Sequence, residues 1–310
     1  MDLKKIAASK WISIFMVYSF VLGCNSEESP IISNYMTVQI DGKEFTYADE
    51  DLSVNENCNF IFINSATVQV DDQRFRLGFQ LTKSGRIREI FCLDFSNSSA
   101  VASAFKSADF LASEVFAISN FELSEAEGTL SFDFNGLLYE LDQGGSTKGI
   151  SGRIETKALQ LTDCSVNQWL LGTIDQQPFE AVEMEGETIT SRNAQDQIIS
   201  IQSSWRGISD DGFRISIVTD AELEDMATGT YPFGEKDLLN VVKFEKYLGP
   251  YEAVQLEQHR GAWQAFECSG EFVIDEQTGG ARSRTNGTFS LNASKDGEIV
   301  FSIINGTFSI

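Results

Sequence analysis

The chain has 310 residues and carries 23 Lys and Arg against 46 Asp and Glu, which gives a formal net charge of -23. A charge of this sign repels phosphate backbones and anionic lipid surfaces, and it argues against a nucleic-acid partner. The length exceeds what one small hydrophobic core usually organises and indicates about two domains.

Residues 1–23 have the organisation of a secretory signal peptide. Three lysines precede an apolar run over residues 11–22, which is short of the roughly 20 residues that a membrane-spanning helix needs. The run ends in Leu22-Gly23-Cys24 and resembles a lipobox, although Leu22 stands where small residues are usual. The resemblance implies that residues 1–23 are removed and that Cys24 is the lipid attachment site. An ordinary signal peptide followed by a chance cysteine is the alternative.

Residues 24–33 are predicted to be a tether, because they are polar and carry no periodic apolar pattern. Ser26 and the two acids after it resemble the export signal of Bacteroidetes lipoproteins, which implies an outer-membrane protein exposed at the cell surface. A solvated spacer is the alternative. Removal of the signal peptide takes away three lysines and one aspartate, so the mature chain has a charge of about -25.

Internal repeats divide the remaining chain. The segment 127–134 recurs as 286–293, and the two are followed by the turn signals Asn135-Gly136 and Asp296-Gly297. Further pairs follow in the same order: 40–45 with 174–179, 75–77 with 213–215, 121–125 with 272–276, and 150–154 with 304–308. The repeats predict a tandem duplication, with unit 1 over residues 34–163 and unit 2 over residues 164–310. One large β-domain with similar hairpins is the alternative.

Alternation with period two predicts antiparallel strands throughout: Val68 and Val70 point to one face, while Thr67 and Gln69 point to the other. Other predicted strands cover 75–82, 88–95, 128–134, 137–141, 199–203, 213–218, 272–274, 288–292 and 298–304. Helical patterns are confined to 99–110 and 221–227. The predicted fold is all-β, with two tandem antiparallel β-sandwich or barrel-like units and a few short helices.

With lipid on Cys24, an even number of cysteines remains in a chain exported to an oxidising compartment. These disulfide candidates are Cys58, Cys92, Cys164 and Cys268. The pairing Cys58–Cys92 and Cys164–Cys268 is favoured because each bridge then lies within one unit. A metal site is the alternative, but the chain has no C-x-x-C pair and a single histidine, His259.

No pattern identifies a catalytic residue, a cofactor or a metal site. A Ser-His-Asp arrangement would have to recruit His259, and no nucleophile elbow accompanies it. A glycosidase needs only two carboxylates, and the many acids leave the choice of a pair arbitrary. Acidic clusters at 49–51, 71–72, 210–211 and 222–225 lack EF-hand spacing and are interpreted as solvated loop acids, with calcium binding as the alternative.

The mature chain has three tryptophans, and core packing is the expectation for Trp169, Trp205 and Trp263. Trp205 and Trp263 have polar neighbours and are the better candidates for a platform that stacks on sugar rings.

The lipobox, the acids behind it and the paired units resemble poorly characterised Bacteroidetes surface lipoproteins. This resemblance implies an all-β domain of unknown function without assigned catalytic residues. The functional hypothesis is a non-catalytic surface module that binds a glycan or a protein and contacts the membrane only through its lipid. Two alternatives are a glycoside hydrolase-like enzyme with paired carboxylates and a structural envelope protein.

Overall fold

A computed structural model describes residues 34–96, 102–141, 146–162, 168–234, 240–251, 261–278 and 284–310. The predicted signal peptide and tether lie outside these ranges, as do Cys24, Cys164 and His259. Within the described ranges, no helix is long and apolar enough to cross a membrane. Contacts between residues group 33–310 into one compact unit.

Twelve strands build a single sheet from the first part of the chain. They are β1 (Asn34–Ile40), β2 (Lys43–Ala48), β3 (Leu52–Asn57), β4 (Phe60–Ser65), β5 (Val68–Val70), β6 (Gln73–Thr82), β7 (Ile87–Asp94), β8 (Ser103–Lys106), β9 (Phe116–Ser124), β10 (Thr129–Glu140), β11 (Thr147–Thr156) and β12 (Gln160–Thr162). A 3-10 turn at Asp49–Asp51 and a short helix, α1 (Ala112–Val115), interrupt them. The strand order is β12-β3-β4-β6-β7-β8-β10-β11-β1-β2, with β5 on β6 and β9 on β10.

This sheet curls into a nearly closed, barrel-like form around one hydrophobic core. Alternation along β1 shows which side chains fill this core. Met36, Val38 and Ile40 are fully buried, while the residues between them face outward. On β4, Ile61 and Ile63 face the core. Burial of each such side chain contributes about 1.5–3 kcal/mol, so the period-two pattern determines which face of the sheet is inside.

Eleven further strands form two sheets. They are β13 (Trp169–Ile174), β14 (Gln177–Glu180), β15 (Glu183–Arg192), β16 (Ile198–Ile208), β17 (Phe213–Thr219), β18 (Gly229–Phe233), β19 (Val241–Tyr247), β20 (Trp263–Ala265), β21 (Glu267–Thr278), β22 (Arg284–Lys295) and β23 (Glu298–Ser309). One sheet has the order β14-β13-β23-β22-β21-β18 and the other β15-β16-β17-β19-β20. They enclose a second core, and a 3-10 turn at Leu223–Asp225 lies at its edge.

The strand order repeats between the two parts of the chain. In the first part, β9-β10-β11-β1-β2 and β3-β4-β6-β7-β8 are runs of neighbouring strands. In the second part, β21-β22-β23-β13-β14 and β15-β16-β17-β19-β20 have the same connectivity. The first hairpins also match: Asp41 and Gly42 have φ of 51° and 79°, and Asp175 and Gln176 have φ of 45° and 71°. Both are two-residue turns of the kind that antiparallel hairpins favour.

Asn135-Gly136 does not form the predicted turn, because both residues lie inside β10. Gly136 is required there for a packing reason: a Cβ on it would lie 2.4 Å from the Phe116 ring on the neighbouring strand. The turn predicted at Asp296-Gly297 is confirmed, since Gly297 occupies a hairpin with φ of 83°. The sequence Ser84-Gly85 also predicts a tight turn, and Gly85 occupies one with φ of 86°.

The predicted helix over residues 99–110 is wrong in its described part, where Ser103–Lys106 forms β8. Phe105 is buried against the first core and pairs with Cys92 across the sheet, so tertiary pairing overrides the helical propensity of the alanines. The predicted helix over 221–227 is reduced to the 3-10 turn at Leu223–Asp225.

The predicted cysteine pairing is wrong, because Cys92 and Cys268 are free thiols. Burial raises the pKa of Cys92 to about 12 and that of Cys268 to about 11. Sheet register explains why Cys58 cannot reach Cys92. Cys58 follows β3 at the end of the sheet where β7 starts with Ile87, and Cys92 lies roughly 16 Å further along β7 at about 3.3 Å per residue.

An ion pair joins the two parts of the chain. Arg86, at the turn before β7, donates to Asp210 over 2.7 Å and to the Pro178 carbonyl over 2.6 Å. The Ile87 amide donates to the other Asp210 oxygen at 3.2 Å. The Asp210 side chain is only 4% exposed. Burial raises its pKa, and the Arg86 guanidinium opposes that rise.

An apolar cluster packs beside this ion pair. Phe110 from the first part contacts Tyr247 and Trp263 from the second, with ring centroids 5.2 and 5.1 Å apart. The Tyr251 hydroxyl accepts a hydrogen bond of 2.8 Å from the Ala108 amide. Charge, hydrogen bonding and aromatic packing therefore fix the two parts together.

Arg86→Met is expected to lower the free energy of unfolding by about 3–5 kcal/mol, because it leaves a buried carboxylate without its cation. The pKa of Asp210 would then rise further above its unfolded value. The variant should therefore be most stable at low pH and lose stability as the pH rises through that pKa. Urea unfolding at about pH 5 and about pH 7 measures both effects.

The matched control is Arg153→Met, which removes an arginine from an exposed ion pair with Asp133 and should change stability little. Equal stability losses in the two variants would contradict the structural role of the Arg86–Asp210 pair.

Candidate functional site

A cavity of about 300 Å³ opens between the two sheets of the second part of the chain. It is called the Trp205 cavity here, and its lining residues are Gln168, Thr188, Ser203, Trp205, Glu222, Leu223, Glu224, Thr285 and Ile310. Thr188 and Ser203 are paired across β15 and β16, and Trp205 lies two residues further along β16 on the same face. That face points toward the second core, so the cavity forms where the sandwich opens at one end.

Gly186 determines the position of the Trp205 indole. The two residues are direct partners in the β15–β16 ladder, and a Cβ on Gly186 would lie 2.5 Å from the ring. The indole therefore lies across the glycine and contacts the backbone of β15. Without this glycine the ring could not keep its place beside the cavity.

Two carboxylates, Glu222 and Glu224, lie beside the cavity on either side of the buried Leu223. The Gln277 side chain holds this segment, since its amide donates to the carbonyls of Leu223 and Met226 over 2.8 and 2.6 Å. Both carboxylates come from one short turn and therefore meet a bound molecule from the same wall.

Beyond the cavity, the hairpin of β15 and β16 continues into solvent. Ile201 lies on the same face as Trp205, and Ile199, the extra residue of a β-bulge in β16, is 65% exposed. On β15, Thr190 is paired with Ile201. The hairpin extends the lining of the cavity with a partly apolar strip.

A second cavity, of about 240 Å³, lies where the two parts of the chain meet and is called the junction cavity here. Its lining residues are Asn57, Cys58, Phe60, Phe62, Arg88, Gln168, Val182 and Met184. Gln168 lines both cavities. Met184 and Thr188 share a face of β15 and are four positions apart in the strand. At about 3.3 Å per residue, this corresponds to about 13 Å. The two cavities share Gln168 and lie along one face of β15, and together they are called the groove here.

This arrangement suits a molecule that has both apolar faces and many hydroxyl groups. An indole offers a flat apolar surface, while carboxylates accept hydrogen bonds from hydroxyls. The buried hydroxyl residues Ser203 and Thr285 add further polar groups to the wall. A sugar ring has the required combination of surfaces.

The other tryptophans do not line either cavity. Trp263 packs in the aromatic cluster between the two parts of the chain, with Arg214 4.1 Å above its ring. Trp169 is half-buried, and Arg284 lies 5.4 Å from its ring centroid. Of the two tryptophans that the sequence favours as a platform, the structure places Trp205 beside a cavity and Trp263 in an aromatic cluster.

The remaining acidic clusters have structural neighbours. Asp71 and Asp72 both pair with Lys43, and the hydrogen bond from that lysine lowers the pKa of Asp72. Asp210 holds Arg86, as described above. Within the described ranges, no group of three or more His, Cys, Asp or Glu side chains has the geometry to hold a metal ion.

Sequence reasoning missed Gly186, Arg88 and the two phenylalanines of β4 as parts of a site. Glycine in a strand does signal close approach of another group, so Gly186 carried a detectable signal. Arg88 and the phenylalanines carried none, because their cavity exists only through the contact between two distant segments.

Comparisons of this chain with protein-family models, with curated proteins and with solved structures found no match.

Proposed function

We propose that the protein is a lipid-anchored, cell-surface lipoprotein of the outer membrane that binds a glycan without catalysis at the Trp205 cavity. The observation that carries the binding proposal is the placement of a half-buried indole beside carboxylates and hydroxyls in an open cavity. Aromatic and polar groups that converge in a concave site are the usual features of small-molecule recognition.

The catalytic alternative receives less support from this geometry. Glycoside hydrolysis requires two carboxyl groups that flank the scissile bond, roughly 5–9.5 Å apart. Glu222 and Glu224 lie on one turn and approach from one wall. They are better placed to orient sugar hydroxyls than to attack from opposite sides.

The anchor proposal fits the start of the fold. β1 begins at Asn34, so about ten tether residues separate Cys24 from the first strand, and they span at most about 35 Å. Two or more acyl chains give stable attachment, whereas one gives only marginal binding. An anionic bilayer would repel the strongly negative chain, so the protein would contact the membrane only through its lipid.

Trp205→Ala is expected to lower affinity for the recognised oligosaccharide roughly 5- to 150-fold, because stacking on an aromatic ring contributes on the order of 1–3 kcal/mol. A glycan array on the purified protein identifies the ligand, and calorimetry measures the change. Gly186→Ala should weaken binding in the same direction, since the new methyl group displaces the indole.

The control for the glycine variant is Gly261→Ala, where no atom of the described residues lies within 4 Å of the added Cβ. Glu222→Gln and Glu224→Gln separate binding from catalysis: binding predicts weaker affinity and no glycan cleavage by any variant. Cleavage by the wild type that either substitution abolishes would overturn the non-catalytic proposal.

Cys24→Ala is expected to abolish metabolic labelling with palmitate and to release the protein from membranes, because the thiol is the proposed acyl carrier. Fractionation and labelling in cells report both effects. The control Cys268→Ala should retain label and membrane association. A Cys24→Ala protein that is still labelled and still membrane-bound would rule out the anchor.

We also propose that Cys58 forms a disulfide with Cys164. Cys58 is not among the free thiols, and Cys92 and Cys268 are free. Cys24 is the proposed lipid carrier, so Cys164 is the remaining candidate partner of Cys58. The bridge would connect the end of the first sheet to the segment that enters the second part of the chain.

Peptide mapping without reduction should yield one linked pair that contains Cys58 and Cys164. Loss of this bridge by Cys58→Ser should cost about 4.7 kcal/mol on the chain-entropy model, since it closes a loop of about 100 residues. A linked peptide that contains Cys92 or Cys268 would contradict the pairing.

A further inference from the structure

Arg88 occupies an irregular position in the first sheet. On β6, Gln80 and Leu81 are consecutive, while their partners on β7 are Glu89 and Ile87. Arg88 is therefore the extra residue of a β-bulge. Bulges re-aim a side chain and occur often beside functional sites. Here the bulge turns the arginine toward the junction cavity, which it lines.

One aromatic ring packs against the guanidinium, and a second lines the same cavity. Phe60 and Phe62 lie on the outer face of β4, opposite to the buried Ile61 and Ile63. The Arg88 guanidinium is 4.7 Å from the centroid of the Phe60 ring. Val182 and Met184, from the second part of the chain, form the opposite wall. The cation thus faces a largely apolar cleft that a polar group, Gln168, closes toward the Trp205 cavity.

Three other cations near Arg88 are paired with carboxylates. Arg86 pairs with Asp210, Lys83 with Glu56 and Lys106 with Asp109. Among the residues that the structure describes, none places a carboxylate within 4 Å of the Arg88 guanidinium. Arg88 acts electrostatically on Glu183, which lies on the face of β15 opposite to Met184.

We infer that the groove recognises an oligosaccharide with a single acidic sugar, whose carboxylate binds Arg88 while a neutral sugar stacks on Trp205. The inference rests on the proposed glycan-binding function and adds the ligand class and its direction. A guanidinium matches a carboxylate in a bidentate geometry, and an apolar cleft strengthens that pair. The sugar ring that carries the carboxylate would pack against Phe60 and Met184.

The charge of the groove fixes the direction of the ligand. Glu222 and Glu224 repel an anion at the Trp205 end, whereas Arg88 attracts one at the junction end. A sugar acid at one terminus therefore fits, and a polymer with a carboxylate on every ring does not. Met184 and Thr188 are about 13 Å apart along β15. A ligand that reaches both cavities must therefore be an oligosaccharide.

The experiment uses the full mature protein in detergent and two ligands that differ only in charge. One is a neutral gluco-oligosaccharide, and the other is the same oligosaccharide with a terminal glucuronate. The wild type is expected to bind the acidic ligand at least tenfold more tightly. Arg88→Met should remove that preference and leave affinity for the neutral ligand unchanged. Trp205→Ala should weaken binding of both ligands.

Arg76→Met is the matched control, because Arg76 is an exposed arginine of the same sheet and its loss changes net charge equally. Equal affinity of the wild type for the two ligands would overturn this inference and leave glycan binding intact. Binding of neither ligand, together with an unresponsive Trp205→Ala variant on the glycan array, would overturn the proposed function itself. The affinities of the wild type for the two ligands can be compared without any variant. The test therefore stays decisive even if Arg88→Met does not fold.

Discussion

The buried contact between Arg86 and Asp210 determines how the rest of the molecule can work. Removal of two charges from water costs several kcal/mol per ion, and the pair is tolerated because further groups satisfy it. The Pro178 carbonyl accepts from the guanidinium, and the Ile87 amide donates to the carboxylate. These bonds bring the start of β7 against the β14–β15 region. The junction cavity lies near that contact, where Phe60 and Arg88 from the first part of the chain meet Met184 from the second.

The two parts of the chain share a strand order, but their sheets enclose their cores differently. In the first part of the chain, β8 pairs with the end of β10 at Tyr139 and Glu140, so two arrays of strands join into one curled sheet. In the second part, the equivalent arrays belong to separate sheets within the described residues. The first arrangement fills its interior with side chains, whereas the second leaves an opening at one end. Trp205 lies beside the cavity of the second part, where the two arrays are separate sheets.

The sequence predicts the fold where local chemistry decides it. Period-two alternation locates most strands, and Gly85 and Gly297 mark real turns because tight hairpins need positive φ there. The prediction fails where a distant segment decides the outcome. Gly136 resembles a turn residue but serves the approach of Phe116, and residues 103–106 become a strand because β7 offers an unpaired edge. Cys58 and Cys92 appear well matched until the register separates them along β7.

The candidate site is harder to predict for the same reason. Trp205 and the acids at 222–225 are visible as residue types, but nothing in their spacing brings them to one cavity. Gly186 is the exception, since a glycine inside a strand already indicates that another group approaches closely. Arg88 shows the opposite case. Its place in the cavity depends on a bulge, on two outward phenylalanines and on a contact with a distant segment. Arg88 and Met184 are almost a hundred positions apart in the sequence.

The strong negative charge of the chain and the one cation of the groove act over different distances. The net field extends over the whole surface and disfavours polyanions, but at physiological salt it is screened beyond about 8 Å. A carboxylate that enters the junction cavity meets Arg88 at contact distance, in an apolar setting where the attraction is strongest. A ligand with one charge passes the repulsive field at small cost and gains the full local contact. In a ligand with many negative charges, each charge is repelled by the net field, while only one of them can bind Arg88.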